Sequence, residues 1–200
     1  MRNAEATRER ILDAALAEFS AHGIAGARVD RIARAARCNK NLIYIYFEDK
    51  ETLFTTVLSK HLTRVHEGQP FTPDDLPGYA GKVFDFALAN PHLMRLVAWS
   101  ALEQEARSAA ERIATLKTKL AALNDAQNAG QVGKGFPPEF LLVAVLSLAT
   151  AWSPASPFGP SADPKAAEHP ASVRENLIEA VRLLANAGEE TPPRRKSKSK

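Results

Sequence analysis

Between Val29 and Lys50 the chain reads VDRIARAARCNKNLIYIYFEDK, and Lys40, Asn41, Leu42, Tyr44, Ile45, Tyr46 and Lys50 within it have the side chains a reader of duplex DNA uses. Amides and hydroxyls hydrogen-bond base edges, aliphatic groups touch thymine methyls, and lysines hold phosphates. Such chemistry requires the groups to be displayed on one side of a helix that fits the major groove. At 100° per residue, Ile43, Phe47, Tyr46 and Lys40 fall on one side of a helix, and Asn41, Tyr44, Ile45 and Leu42 on the other. A helix this short needs one face for its core, which leaves the second, mixed face without an inward role. Tyr46 lies near the core side, where packing competes with a contact to DNA. The competing reading of the stretch is a buried helical hairpin with incidental lysines.

Positioning that face falls to three helices. Ile11, Leu12, Ala15, Leu16 and Phe19 form an apolar stripe from Thr7 to about Ala21, with Glu9, Asp13 and Glu18 toward water. His22-Gly23 ends this helix with a C-terminal glycine. Val29, Ile32, Ala33 and Ala36 bury one face of a second helix, whose Arg31 and Arg34 read as a solvated face. The pattern breaks at Arg37-Cys38, and Asn39 caps a third helix running to about Phe47.

The run TRERILDAALAEFSAHGIAGARVDRIARAARCNKNLIYIYFEDKETLF resembles the DNA-binding domain of the tetracycline-repressor (TetR) family of bacterial transcription regulators. The landmarks are Ile11, Ala14, Ala15, Phe19 and Gly23, then Val29, Ile32, Ala33 and Ala36, then Lys40, Ile43, Tyr44, Tyr46 and Phe47, followed by Lys50, Leu53 and Phe54. The resemblance implies a phosphate contact at position 28, where Arg28 replaces the common Thr and cannot cap the helix in the same way. It implies a cap at Asn39, backbone contacts from Tyr44 and Tyr46, and phosphate contacts from Lys40 and Lys50. Asn41, Leu42 and Ile45 depart from the family pattern on the outer face, where preference for one operator is set.

Composition agrees with a polyanion partner without proving one. Residues 1–50 hold nine Lys/Arg against seven Asp/Glu, and residues 189–200 hold five against two, so the basic excess sits at the two ends. Cys38 is the only cysteine, which excludes an intrachain disulfide and suits a reducing cytosol. The opening residues have early acids and no apolar core, unlike a signal peptide. The longest apolar run, Phe140 to Ala151, is too short to span a membrane. A cytoplasmic location is expected. His22, His61, His66, His92 and His169 lack metal-ligand spacing, and Gly133-Lys134-Gly135 lacks the spacing of a phosphate-binding loop. No enzymatic role, metal or cofactor is expected. A helical protein-interaction module without specific DNA binding is the alternative function, and it leaves Lys40, Tyr44 and Lys50 unexplained.

The rest of the chain predicts an all-α protein, with the helix-turn-helix domain over residues 1–50 and a larger helical domain for effector binding and dimerisation over 51–188. A linking helix is expected over 49–66 and a loop from Gly68 to Gly78. Helices are expected over Tyr79–Asn90, from Pro91 through Leu102, from about Ala106 to Gln127, over Glu139–Trp152 and over Ala171–Ala187. In the third of these, Ile113, Leu116, Leu120 and Leu123 form the apolar line. The Glu139–Trp152 helix is apolar almost all round and needs cover on every side. Paired with Ala171–Ala187 it would form half of a four-helix bundle across a twofold axis, the homodimer that the resemblance also implies. A double-stranded, near-palindromic operator follows from such a dimer. The resemblance further implies a small-molecule effector, with Phe84, Leu88, His92, Met94, Trp99, Glu103, Leu116 and Trp152 as candidate lining. The scarcity of polar groups there favours a largely apolar one. The tail, residues 189–200, reads as disordered and basic.

Overall fold

The 3.6-residue periodicity is realised as ten helices among the described residues, with no strand there. A computed structural model of the chain describes residues 2–68, 70–102, 106–166 and 168–188, and side chains over 4–62, 70–102, 113–166 and 168–188. The helices are α1 (Arg2–Gly26), α2 (Val29–Ala35), α3 (Lys40–Phe47), α4 (Lys50–Gly68), α5 (Leu76–Ala89), α6 (Pro91–Leu102), α7 (Ala106–Asn128), α8 (Pro138–Thr150), the single turn α9 (Gly159–Ala162) and α10 (Pro170–Ala185).

Two apolar cores organise them. The first joins Ile11, Leu12, Ala15 and Phe19 of α1 to Ile32, Ile43 and Phe47 of α2 and α3, and continues through Leu53, Phe54, Val57 and Leu58 of α4. Phe19 and Phe54 meet edge to face, with ring centroids 5.2 Å apart. This core also takes in Leu93 and Leu96 of α6, so a helix from beyond α4 and α5 packs on α1. The second core is built from α5, the C-terminal part of α7, α8 and α10, around Phe84, Leu123, Leu141, Leu142, Val145, Leu177 and Val181.

Local chemistry sets the joints. Gly23 interrupts α1 with φ 65° and ψ −176°, a conformation essentially reserved for glycine. Its helix continues for one further turn to Gly26, so the segment expected as a connector is partly helical. Between α3 and α4 the Asp49 N–H donates to the Phe47 carbonyl at 2.6 Å around Glu48, whose φ of 63° and ψ of −57° make a strained γ-turn. That turn swings the chain from the third helix into the fourth. The loop before α5 is shorter than expected: Asp75 accepts from the Gly78 N–H, Pro77 fits the first turn, and the helix starts at Leu76.

One other expectation needs correction. Ile113 and Leu116 are exposed on α7, since among the described residues the second core gathers around the C-terminal part of that helix. Gly133 and Gly135 belong to a loop that donates its N–H groups to the carbonyls of Ala185 and Ala187 at the end of α10, at 2.7 and 2.8 Å. A β-carbon at Gly133 would stand 2.3 Å from the Ala187 oxygen, which explains the glycine. The buried Gln127 amide donates to the carbonyls of Gly133 and Phe136 and fixes the same loop. Among the described residues, no helix is long and apolar enough to cross a membrane.

Candidate nucleic-acid interface

The outer face of α3 is assembled by burying the opposite side of a two-turn helix. Ile43 and Phe47 enter the first core, while Lys40, Asn41, Tyr44 and Ile45 are exposed. Ile45 is 73% exposed and Tyr44 43%, so an aliphatic and an aromatic group are held in water beside an amide and an ammonium. Burial of an isoleucine is worth about 1.5–3 kcal/mol, a gain that Ile45 forgoes on this face. Leu42 and Tyr46 are half-buried; Tyr46 packs against the core and tilts onto Phe47.

The turn that aims this helix is tight. The Ala36 and Cys38 N–H groups donate back to Ile32 and Ala33, and Arg37 takes a positive φ of 52° between them. Asn39 then caps α3, its Oδ1 accepting from the Asn41 N–H at 2.9 Å. Half-buried Cys38 packs against the core, and burial pushes its thiol pKa up, which suits a packing role. Arg28, Lys40 and Lys50 gather with Tyr44 around an open cleft between the first turns of α2, α3 and α4. Short helix, tight turn and second helix with an exposed outer face together form a helix-turn-helix.

Residues 11–57 match the family described as bacterial regulatory proteins, tetR family, and residues 75–182 match the tetracyclin repressor-like C-terminal domain. The chain belongs to the tetR family. It is 42% identical over 151 residues to the HTH-type transcriptional repressor SCO4008 of Streptomyces coelicolor, covering 74% of this chain and 79% of that protein. Identity to the HTH-type transcriptional repressor NicS of Pseudomonas putida is 32% over about half of each chain. The crystal structure of SCO4942 from Streptomyces coelicolor superposes with a TM-score of 0.79 at 39% identity, over 89% of this chain and 97% of that one. The protein is a DNA-binding transcriptional regulator of this family.

In this tetR-family chain one residue that positions the interface was not foreseen. Glu18, expected in water, is nearly buried: its Oε1 accepts from the Arg28 backbone N–H at 2.9 Å and from the Arg31 Nε at 2.7 Å. The carboxylate therefore caps α2, a task the Arg28 side chain does not perform. Arg31 is drawn to Glu18 and to the Gly26 carbonyl, away from the cleft. Burial works to raise the Glu18 pKa, but the hydrogen bonds from Arg31 and from the Arg28 N–H, with the Arg31 charge, outweigh it and leave the carboxyl below its ordinary value. A carboxyl depressed in the folded state contributes its full stability above the unfolded pKa and loses it as pH falls through the folded one. Glu18→Gln should lower stability by about 1–3 kcal/mol at neutral pH. Urea unfolding across the acid carboxylate range should show the gap to the unsubstituted protein closing as pH falls.

Of the expected effector residues, the structure brings together Phe84, Leu88 and Trp152. They line a cavity of about 380 Å³ with Pro91, Ala166, Asp163 and the prolines of the α8–α10 connection, Pro154, Pro160 and Pro164. Met94 and Trp99 are half-buried on α6 and Leu116 is exposed on α7, none of them in its wall. His92 is exposed and turns to α1, its Nδ1 lying 3.0 Å from the Ser20 Oγ. Glu103 lies outside the described residues, as does the tail over residues 189–200. The proline walls escaped the sequence reading because they sit in a loop without periodicity.

Proposed function

We propose that the protein is a homodimeric repressor that reads a near-palindromic operator with α3 and is released from it by a small, largely apolar effector. The observation that carries the DNA part is the solvent-facing Ile45, Tyr44, Asn41 and Lys40 on a helix whose other side is locked into the core. In this reading Asn41, Leu42 and Ile45 meet base edges, while Arg28, Lys40, Tyr44 and Lys50 hold phosphates, with Asn39 fixing the helix start and Tyr46 steadying it from the core side. Residues 1–50 supply the DNA contacts, and 51–188 the effector site and the dimer. The sign of regulation follows the relatives named as repressors. A cytoplasmic location follows from the DNA partner.

The larger helical domain supplies the control. Phe84, Leu88, Trp152 and four prolines give the cavity an apolar lining, which suits an apolar effector. Pro91 lines that cavity, its neighbour His92 meets Ser20 of α1, and Leu93 and Leu96 lie in the first core. An occupant that displaces the start of α6 would thus move α1 and the reading helices with it. The outward Phe140 and Val143 of α8 and Leu183 of α10 support a dimer through these two packed helices.

Selection of bound sequences from random duplex DNA tests the reading. Enrichment of a near-palindrome by the intact protein is expected, with binding to it weakened in Tyr44→Ala and Lys40→Ala. Affinity should fall steeply with salt, as counterions are released from each phosphate contact. Failure to enrich any sequence at low salt would leave the helix pair as a packing motif.

A further inference from the structure

Charges of both signs meet in the cleft between the first turns of α2, α3 and α4. Arg28, Lys40 and Lys50 line it with Tyr44, and so do the carboxylates of Asp30, Asp49 and Glu51. These carboxylates are not equivalent. Asp49 accepts from the Thr52 N–H at 2.6 Å and opens α4. Asp30 holds a cation: the Lys40 Nζ lies 3.0 Å from its Oδ1 and 3.2 Å from its Oδ2. The Lys50 Nζ, by contrast, points to the neutral Ala27 carbonyl at 3.4 Å.

The pair is open to solvent, with the Lys40 side chain 44% exposed and that of Asp30 65%. A phosphate can therefore reach the ammonium, but only by displacing a carboxylate or sharing the lysine with it. We propose that Asp30 acts as a brake on the phosphate contact, occupying Lys40 in the free protein and holding DNA affinity below what the three cations would give. This rests on the reading that the α3 surface holds DNA. An exposed ion pair is weak, so the brake is released easily at a well-fitted site. Its release nevertheless costs part of what a phosphate contact supplies, and the remaining carboxylate repels the phosphate. Because phosphates carry no sequence information, the brake lowers affinity for operator and for random duplex alike. Asn41 and Ile45 are left to decide where the protein stays.

The test is a titration of the full chain onto its selected operator and onto a random duplex, from about 50 to 200 mM salt. Asp30→Asn should bind both duplexes about two- to tenfold more tightly, with the gain greatest at the low-salt end, so that log affinity falls somewhat more steeply with log salt than in the unsubstituted protein. Asp30→Glu, which keeps the pair, should stay close to the unsubstituted protein. In a Lys40→Ala background the gain from Asp30→Asn should largely disappear. Should Asp30→Asn lower the melting temperature, Asp30→Ser carries the same comparison. Unchanged or weaker binding with an unchanged slope, in a variant that melts normally, would overturn the proposal while leaving the DNA-binding reading intact. An unsubstituted protein that binds neither duplex overturns both.

Discussion

Phe54→Ala is expected to lower stability by about 3–5 kcal/mol, the usual range for deleting a buried aromatic ring. Phe54 is fully buried in α4 and meets Phe19 of α1 edge to face, so its loss removes a partner from both helices and leaves a void between them. Single domains are commonly stable by about 5–15 kcal/mol, so the change consumes a large share of the total. The first core also holds Leu93 and Leu96 of α6, a helix whose Pro91 lies in the wall of the cavity on the other side. Unfolding should consequently remain one cooperative event, shifted to lower urea. Far-UV circular dichroism and the fluorescence of Trp99 and Trp152 should fall together. Separate transitions would mean that α6 does not tie the two cores into one unit.

The third helix was legible because its pattern is local. Ile43 and Phe47 sit one turn apart and need a core, and what remains on an eight-residue helix can only face outward. Asn39 as its cap and Gly23 as the break in α1 were legible for the same reason, since each depends on a few adjacent residues. Glu18 was not. Its position on α1 looks solvated, and only the packing of α1 against α2 brings it to Arg28 and Arg31, ten and thirteen residues away. Leu116 misled in the opposite sense: it continues an apolar line along α7, but it stays 40% exposed and outside the second core. The cavity was half legible. Phe84 and Leu88 share a helical face, whereas Pro154, Pro160 and Pro164 come from a connection whose course no periodicity encodes. The start of α5 carried a signal, Asp75 followed by Pro77, that outweighs the loop-like composition around it.

Val143→Arg is expected to leave the fold in place and to separate the two copies of the chain. α8 buries Leu141, Leu142, Val145 and Ala149 within its own chain, while Phe140 stays 52% and Val143 63% exposed at i, i+3 spacing. Phe140 stacks on Phe136, so the more exposed Val143 is the freer position to change. An arginine there costs the monomer little, because the site is in water. At the centre of a helix-to-helix interface it places two guanidinium groups against each other, without partners, where two apolar faces should meet. Sedimentation should therefore report a monomer, with helix content and melting behaviour close to those of the parent. Operator affinity should fall by about 10²- to 10⁴-fold, the factor lost when two linked half-site contacts become independent. The affinity of each remaining module for a single half-site should not change, because α3 and the Asp30–Lys40 pair belong to the first core's unit and not to α8. Leu102→Arg is the matched control: Leu102 is 73% exposed at the end of α6, outside the α8–α10 pair, and its change should leave the dimer whole. A Val143→Arg protein that still sediments as a dimer would place the contact elsewhere, and the spacing of the operator half-sites would then have to be derived from that other surface.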